Sequence, residues 1–204
     1  NGDASWRAID TAGGLTYTRF HVCALCAPTR QALLTGRNHH AVGMGSIPEP
    51  ATSAPGLNSI RPKTTAPLAE ILKLNGYSTA QMGKCHEVPS WQTSQMGPFD
   101  AWPTGSGFEH FYGFFGAETD YYRPDLYQGT TPIDPPKTPE EGYHHDDDIA
   151  THTIEWMRQQ KALMPYKPFF VYFAPGCTHA PHAVPAAWAD KYKGKFDQGW
   201  DKLR

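Results

Sequence analysis

The residue run Phe169-Phe170-Val171-Tyr172-Phe173-Ala174 constrains the fold of this chain more than any other feature. Six apolar residues without alternation read as a central strand buried on both faces, the kind that parallel sheets use. Such a strand needs helical crossovers to cover it, and the sequence supplies them. From Asp146 to Leu163, Ile149, Thr153, Trp156, Met157, Gln160 and Leu163 fall on one stripe. Asp146, Asp147 and Asp148 stand at the end where acids suit the helix dipole. Pro67 opens another helix, with Leu68, Ile71 and Leu72 at helical spacing and Asn75-Gly76 closing it. Tyr77 to Met82 resumes an extended pattern that leads into Gly83-Lys84-Cys85-His86. Leu15 to Val22 alternates as a half-buried strand does, and a helix follows from Pro28 until Gly36 stops it. Strand, helix, strand, helix, strand predicts an α/β fold, with a mainly parallel sheet flanked by helices.

Two stretches carry no sustained period. Residues 38–63 are dominated by Gly, Pro, Ser, Asn and His, and residues 88–143 by Gly, Pro and aromatics. Long irregular loops in a compact domain are usually functional. The formal charge of −2 and the absence of a Lys/Arg cluster remove the electrostatic footprint of a nucleic-acid binder. No apolar stretch approaches the ~18 residues of a membrane span. Leu, Ile, Val and Phe together are 33 of 204 residues, a thin supply for a complete core.

In open α/β sheets, sites form beyond the carboxyl ends of the strands. The strands expected here end at Val22, Met82 and Ala174, so Cys23 to Arg30, Lys84 to His86 and Cys177 to His182 should share one rim. Cys26 precedes a helix, where free N–H groups favour an anion. Arg30 offers a fixed fork and Lys84 a point charge, while His86 and His179 can move protons near neutral pH. A tetrahedral oxyanion such as sulfate or phosphate suits this set. Cys23 and Cys26 also satisfy the C-x-x-C spacing of redox pairs, and with Cys85 and Cys177 they number four, enough for zinc. The spacing of the four matches no zinc ribbon.

Ala24-Leu25-Cys26-Ala27-Pro28-Thr29-Arg30-Gln31-Ala32-Leu33-Leu34-Thr35-Gly36-Arg37 resembles the signature of type I sulfatases throughout. Gly76 to His86 is similar to the family's second signature, departing at Cys85, where an aromatic residue is usual. Thr178-His179-Ala180-Pro181 is similar to its later histidine motif. The likeness covers essentially the whole chain and points to bacterial arylsulfatases. It tilts the reading of Cys26 away from redox or zinc chemistry.

The resemblance implies an alkaline phosphatase-like fold and hydrolysis of small-molecule or carbohydrate sulfate esters, aryl esters foremost. Cys26 would be oxidised to formylglycine by a formylglycine-generating enzyme that reads Cys26-Ala27-Pro28-Thr29-Arg30. One hydroxyl of the hydrate would attack sulfur, and the other would allow sulfate to be expelled. Arg30 would hold the diol, Lys84 would bind sulfate oxygens and His86 would act as base. His179 would protonate the leaving alcohol or bind sulfate. The family binds Ca2+, sometimes Mg2+, through acidic pairs and the formylglycine. Of those ligands only Cys26 is expected here, because the Asp-Asp pair ahead of the first motif and the later Asp-Asn pair are not found. Residues 1–204 are therefore expected to be part of a single sulfatase catalytic domain, truncated at both ends and inactive alone. Two alternatives stand beside this: a phosphonate or phosphate ester hydrolase of the same superfamily, and a non-catalytic anion-binding chain. His144-His145-Asp146-Asp147-Asp148 reads as a helix start rather than a metal cluster, and His39, His40 and His182 as loop residues.

Overall fold

A computed structural model describes residues 19–203. Helix α1 spans Cys26–Thr35 and helix α2 spans Leu68–Leu74. Strands β1 (Ser78–Cys85), β2 (His110–Phe115), β3 (Leu126–Gln128) and β4 (Thr131–Ile133) follow. Helix α3 (His145–Leu163), strand β5 (Phe169–Ala174) and the short helix α4 (Ala186–Ala189) complete the order. The sheet runs β4-β3-β2-β1-β5, with β1 parallel to both β2 and β5 and an antiparallel hairpin at the other edge. The α/β class is as expected, but the sheet is mixed rather than mainly parallel: the parallel trio β2-β1-β5 continues into the antiparallel strands β3 and β4. No helix among the described residues is long and apolar enough to cross a membrane.

Helix α1 begins at Cys26, two residues before the expected start, because Pro28 is tolerated in a first turn whose N–H groups have no helical partner. Gly36 ends it in the left-handed region (φ 64°) and donates its N–H to Ala32 O. Strand β1 is buried along its whole length and carries Lys84 and Cys85 within it.

Several expectations are corrected. Strand β5 is an edge among the described residues rather than central: it pairs with β1 alone, and Phe173 is 44% exposed. An unbroken apolar run does not reveal how many neighbours its strand has. The stripe Leu68-Ile71 of α2 is largely exposed, and it is Ala69 that is buried, beside Leu34 and Phe108. The helix lies backbone to backbone on Gly107, where a Cβ would stand 2.2 Å from Glu70 N, so only glycine fits the contact. The strand expected at 15–22 lies partly outside the described residues, and 19–22 are exposed and irregular. Strands β2 to β4, in the stretch that showed no period, were not expected.

Ala80, Met82, Tyr112, Leu126, Ile149 and Trp156 form one side of the core between sheet and α3. Gly83 sits where three strands meet, paired in register with Gly113 and Ala174. Its φ is 100°, and an added Cβ would lie 2.1 Å from Ala174 O. Gly83→Ala is expected to lower stability by several kcal/mol, since backbone, not side chain, must move. Gly36→Ala, in open space, should cost only about 1–2 kcal/mol from its left-handed φ. Urea unfolding midpoints of the two variants check this ordering, and equal midpoints would refute it.

Candidate active site

The end of β1 and the start of α1 meet at one point. Cys26 Sγ lies 2.9 Å from His86 Nδ1, and the far side of that ring, Nε2, lies 2.8 and 3.0 Å from the two Glu49 oxygens. A carboxylate only accepts hydrogen bonds, so Nε2 carries the proton and Nδ1 presents its lone pair to Cys26. His86 is 2% exposed, and burial pulls its pKa below the ordinary histidine value. Hydrogen bonding and charge from Glu49 oppose that fall, while Lys84 and Arg30 add to it. A neutral imidazole aimed at a nucleophile is the requirement for a general base.

Lys84, also 2% exposed, donates from Nζ to Ala117 O. Burial lowers its pKa; Cys26 opposes this and Arg30 contributes to it. Arg30 reaches from α1 to the same place, with Nη1 3.2 Å from Lys84 O and 3.3 Å from the Tyr172 hydroxyl of β5. Two cations, a base and a nucleophile thus converge on one strand end, as topology requires of an open α/β sheet.

His179 stands apart from that cluster. Its Nδ1 lies 2.8 Å from Ala180 O and 3.6 Å from Glu118 Oε2, one residue past the Lys84 acceptor, rather than against Cys26, Arg30, Lys84 or His86. Beside it opens a cavity of about 370 Å3 lined by Tyr121, His144, Cys177, Val184 and Trp188, among others. A larger cavity of about 530 Å3 is lined by none of Cys26, Arg30, Lys84, His86 or His179, so its size does not make it the reaction pocket.

Glu49 and Tyr172 are site residues the sequence did not disclose. Glu49 comes from the irregular stretch 38–63, which the fold brings against His86. Behind the site, Glu87 is buried and accepts from the Cys85 thiol at 3.1 Å. Burial raises its pKa, partly offset by Arg30 and Arg61. Of Cys23, Cys85 and Cys177, all most simply read as buried small residues, only Cys85 is buried, its thiol pushed well up, first by burial and then by Glu87; Cys23 is half-buried and Cys177 exposed. The four cysteines are free and do not assemble as a metal site. His144 precedes α3 and His145 to Asp148 form its first turn, the helix start anticipated for them. More broadly, no group of three His, Cys, Asp or Glu among the described residues could hold a metal ion. The described residues therefore do not by themselves form the hard-cation site that the resemblance implies, which needs roughly 6–8 oxygen ligands.

The sequence model described as Sulfatase matches residues 2–204. An uncharacterised sulfatase of Schizosaccharomyces pombe is 27% identical over 94% of the chain, and an arylsulfatase of Klebsiella aerogenes is 25% identical over 93%. The chain spans 36% of the first relative's length and 41% of the second's. Among solved structures, Ps i-CgsB in complex with k-i-k-neocarrahexaose superposes with a TM-score of 0.65 at 21% identity, over 82% of this chain and 38% of that one. BT4656 in complex with its substrate D-glucosamine-2-N,6-O-disulfate gives 0.56 at 23% identity, over 88% and 29%. These structural likenesses show the fold, which is alkaline phosphatase-like.

Proposed function

Since the chain belongs to the sulfatase family, we propose that it carries the nucleophile side of an active site that hydrolyses sulfate esters. The observation that carries this reading is the placement of Cys26 against the neutral His86, with Arg30 and Lys84 at the same strand end. Modification of Cys26 to formylglycine, by an enzyme that reads Cys26-Ala27-Pro28-Thr29-Arg30, supplies a hydrated aldehyde whose two hydroxyls permit attack on sulfur and later release of sulfate.

The roles of the chain's own residues follow from their atoms. His86 takes the proton of the attacking hydroxyl at Nδ1, and Glu49 stabilises the resulting imidazolium through Nε2–H. Arg30, anchored on Lys84 O and Tyr172, fixes the diol and favours its ionisation. Lys84 lies in a desolvated place where a point charge acts strongly on sulfate oxygens. His179 protonates the departing alcohol, which occupies the cavity beside it. The substrate is a small-molecule or carbohydrate sulfate ester. No step is assigned to Ca2+ or Mg2+, whose other ligands the described residues do not provide.

The test is turnover by the full-length gene product, expressed with a formylglycine-generating enzyme, on matched aryl sulfate and aryl phosphonate esters. Preference for the sulfate supports the reading; preference for the phosphonate replaces it with the phosphonate hydrolase of the same superfamily. Glu49→Gln gives a finer check. Loss of the carboxylate leaves burial, Lys84 and Arg30 unopposed, so the His86 pKa falls further. The acidic limb of kcat/KM should therefore move to lower pH, while kcat drops by about 10-fold or more through weaker support of the imidazolium. A pH–rate profile with an unmoved acidic limb would count against the His86–Glu49 assignment.

A further inference from the structure

His179 sits on a segment with little regular structure after β5, so something must fix it. Asp146, the second residue of α3, accepts from Gly176 N at 3.0 Å with one oxygen and from Cys177 N at 3.1 Å with the other. His179 N in turn donates to Gly176 O at 3.2 Å, which places the histidine backbone one hydrogen bond beyond the carboxylate's grip. The Tyr121 hydroxyl donates to His179 O at 3.2 Å, and Tyr121 O accepts from His145 N at 2.7 Å, so both sides of the turn are tied to the start of α3. His145 Nδ1 lies 3.2 Å from Asp146 Oδ1. Burial alone would raise the Asp146 pKa, but the hydrogen bonds from His145, Cys177 and Gly176 outweigh it and bring the group to about 2. The clamp is consequently ionised throughout the working range, and charge-assisted bonds to N–H groups are the strong kind. No other carboxylate among the described residues accepts from two consecutive backbone amides of this segment.

We propose that Asp146 is a positioning residue for the leaving-group side of the reaction, holding the 176–179 turn so that the His179 imidazole faces the departing alcohol. This rests on the assignment of His179 as the acid. An acid matters most when the leaving group is poor, which gives the proposal its own signature. In the matured full-length gene product, Asp146→Asn should lower kcat on phenyl sulfate by about 10-fold or more while changing kcat on 4-nitrophenyl sulfate by about 2-fold at most. Combined with His179→Ala, it should add nothing to the loss that His179→Ala causes alone, because the two act as a unit.

Equal losses on both esters, or additive losses in the double variant, overturn the proposal. Selective loss in His179→Ala without selective loss in Asp146→Asn overturns it while leaving the role of His179 intact. No leaving-group dependence in His179→Ala overturns both. Asp146→Ser is made in parallel, and amide hydrogen exchange is read in each variant. Exchange at Gly176, Cys177 and His179 should quicken while β1 keeps its protection. Unchanged exchange at those three amides would also refute the clamp.

Discussion

Cys26→Ala in the matured full-length gene product is expected to abolish sulfate ester turnover, by about 10^6 in kcat, the scale on which covalent enzymes lose their nucleophile. Folding should persist. Cys26 is half-buried at the first position of α1, and alanine is the best helix former, so the melting temperature should stay within a few degrees of the parent's. Cys26→Ser separates the two hydroxyl roles. A serine has one hydroxyl, so attack on sulfur leaves no route for expelling sulfate by collapse to an aldehyde. At most one equivalent of alcohol should appear per enzyme, with no further turnover. Residual activity of Cys26→Ala near the parent's would refute the assignment of the nucleophile.

The second large effect is at Lys84. Lys84→Met keeps the alkyl stem and the volume within buried β1 but removes the charge. Loss of one charge stabiliser typically lowers kcat by about 10²–10³, or roughly 2.7–4 kcal/mol of barrier. Lys84→Arg should not restore the rate, because a planar fork does not replace a point charge in a space shaped for one. Stability should move the other way. The folded pKa of Lys84 is lowered, first by burial, so the charged form costs the native state stability that is recovered only as pH rises toward the unfolded value. Deleting the charge relieves that cost at neutral pH. The melting temperature of Lys84→Met is expected at or above the parent's, a trade between function and stability that calorimetry and kinetics together measure.

Much of the site was legible because its residues flank local signals. Pro28 and Gly36 bracket α1 and so place Cys26 and Arg30 on its first turns. The extended pattern before Gly83 carries Lys84 and His86 to the rim, and α3 announces itself through Ile149, Thr153 and Trp156. Glu49 was illegible for the opposite reason. It meets His86 across 37 positions of chain from a stretch with no period, and only tertiary folding brings the pair together. Tyr172 was hidden inside an apolar run, where its hydroxyl gave no signal of a polar partner. The clamp of Asp146 on Gly176 and Cys177 leaves no mark in the sequence, since an acid at a helix start is explained by the dipole without a distant amide. Strand β4 contains Pro132, which demotes a strand pattern in sequence yet is tolerated at a sheet edge.

Everything proposed for the site turns on the chemical state of the Cys26 side chain, which mass spectrometry of the peptide containing it reads. After expression with a formylglycine-generating enzyme, the side chain should have exchanged one sulfur and two hydrogens for one oxygen, and the peptide should react with a hydrazide as aldehydes do. An intact thiol at Cys26 under the same conditions would rule out a formylglycine nucleophile there.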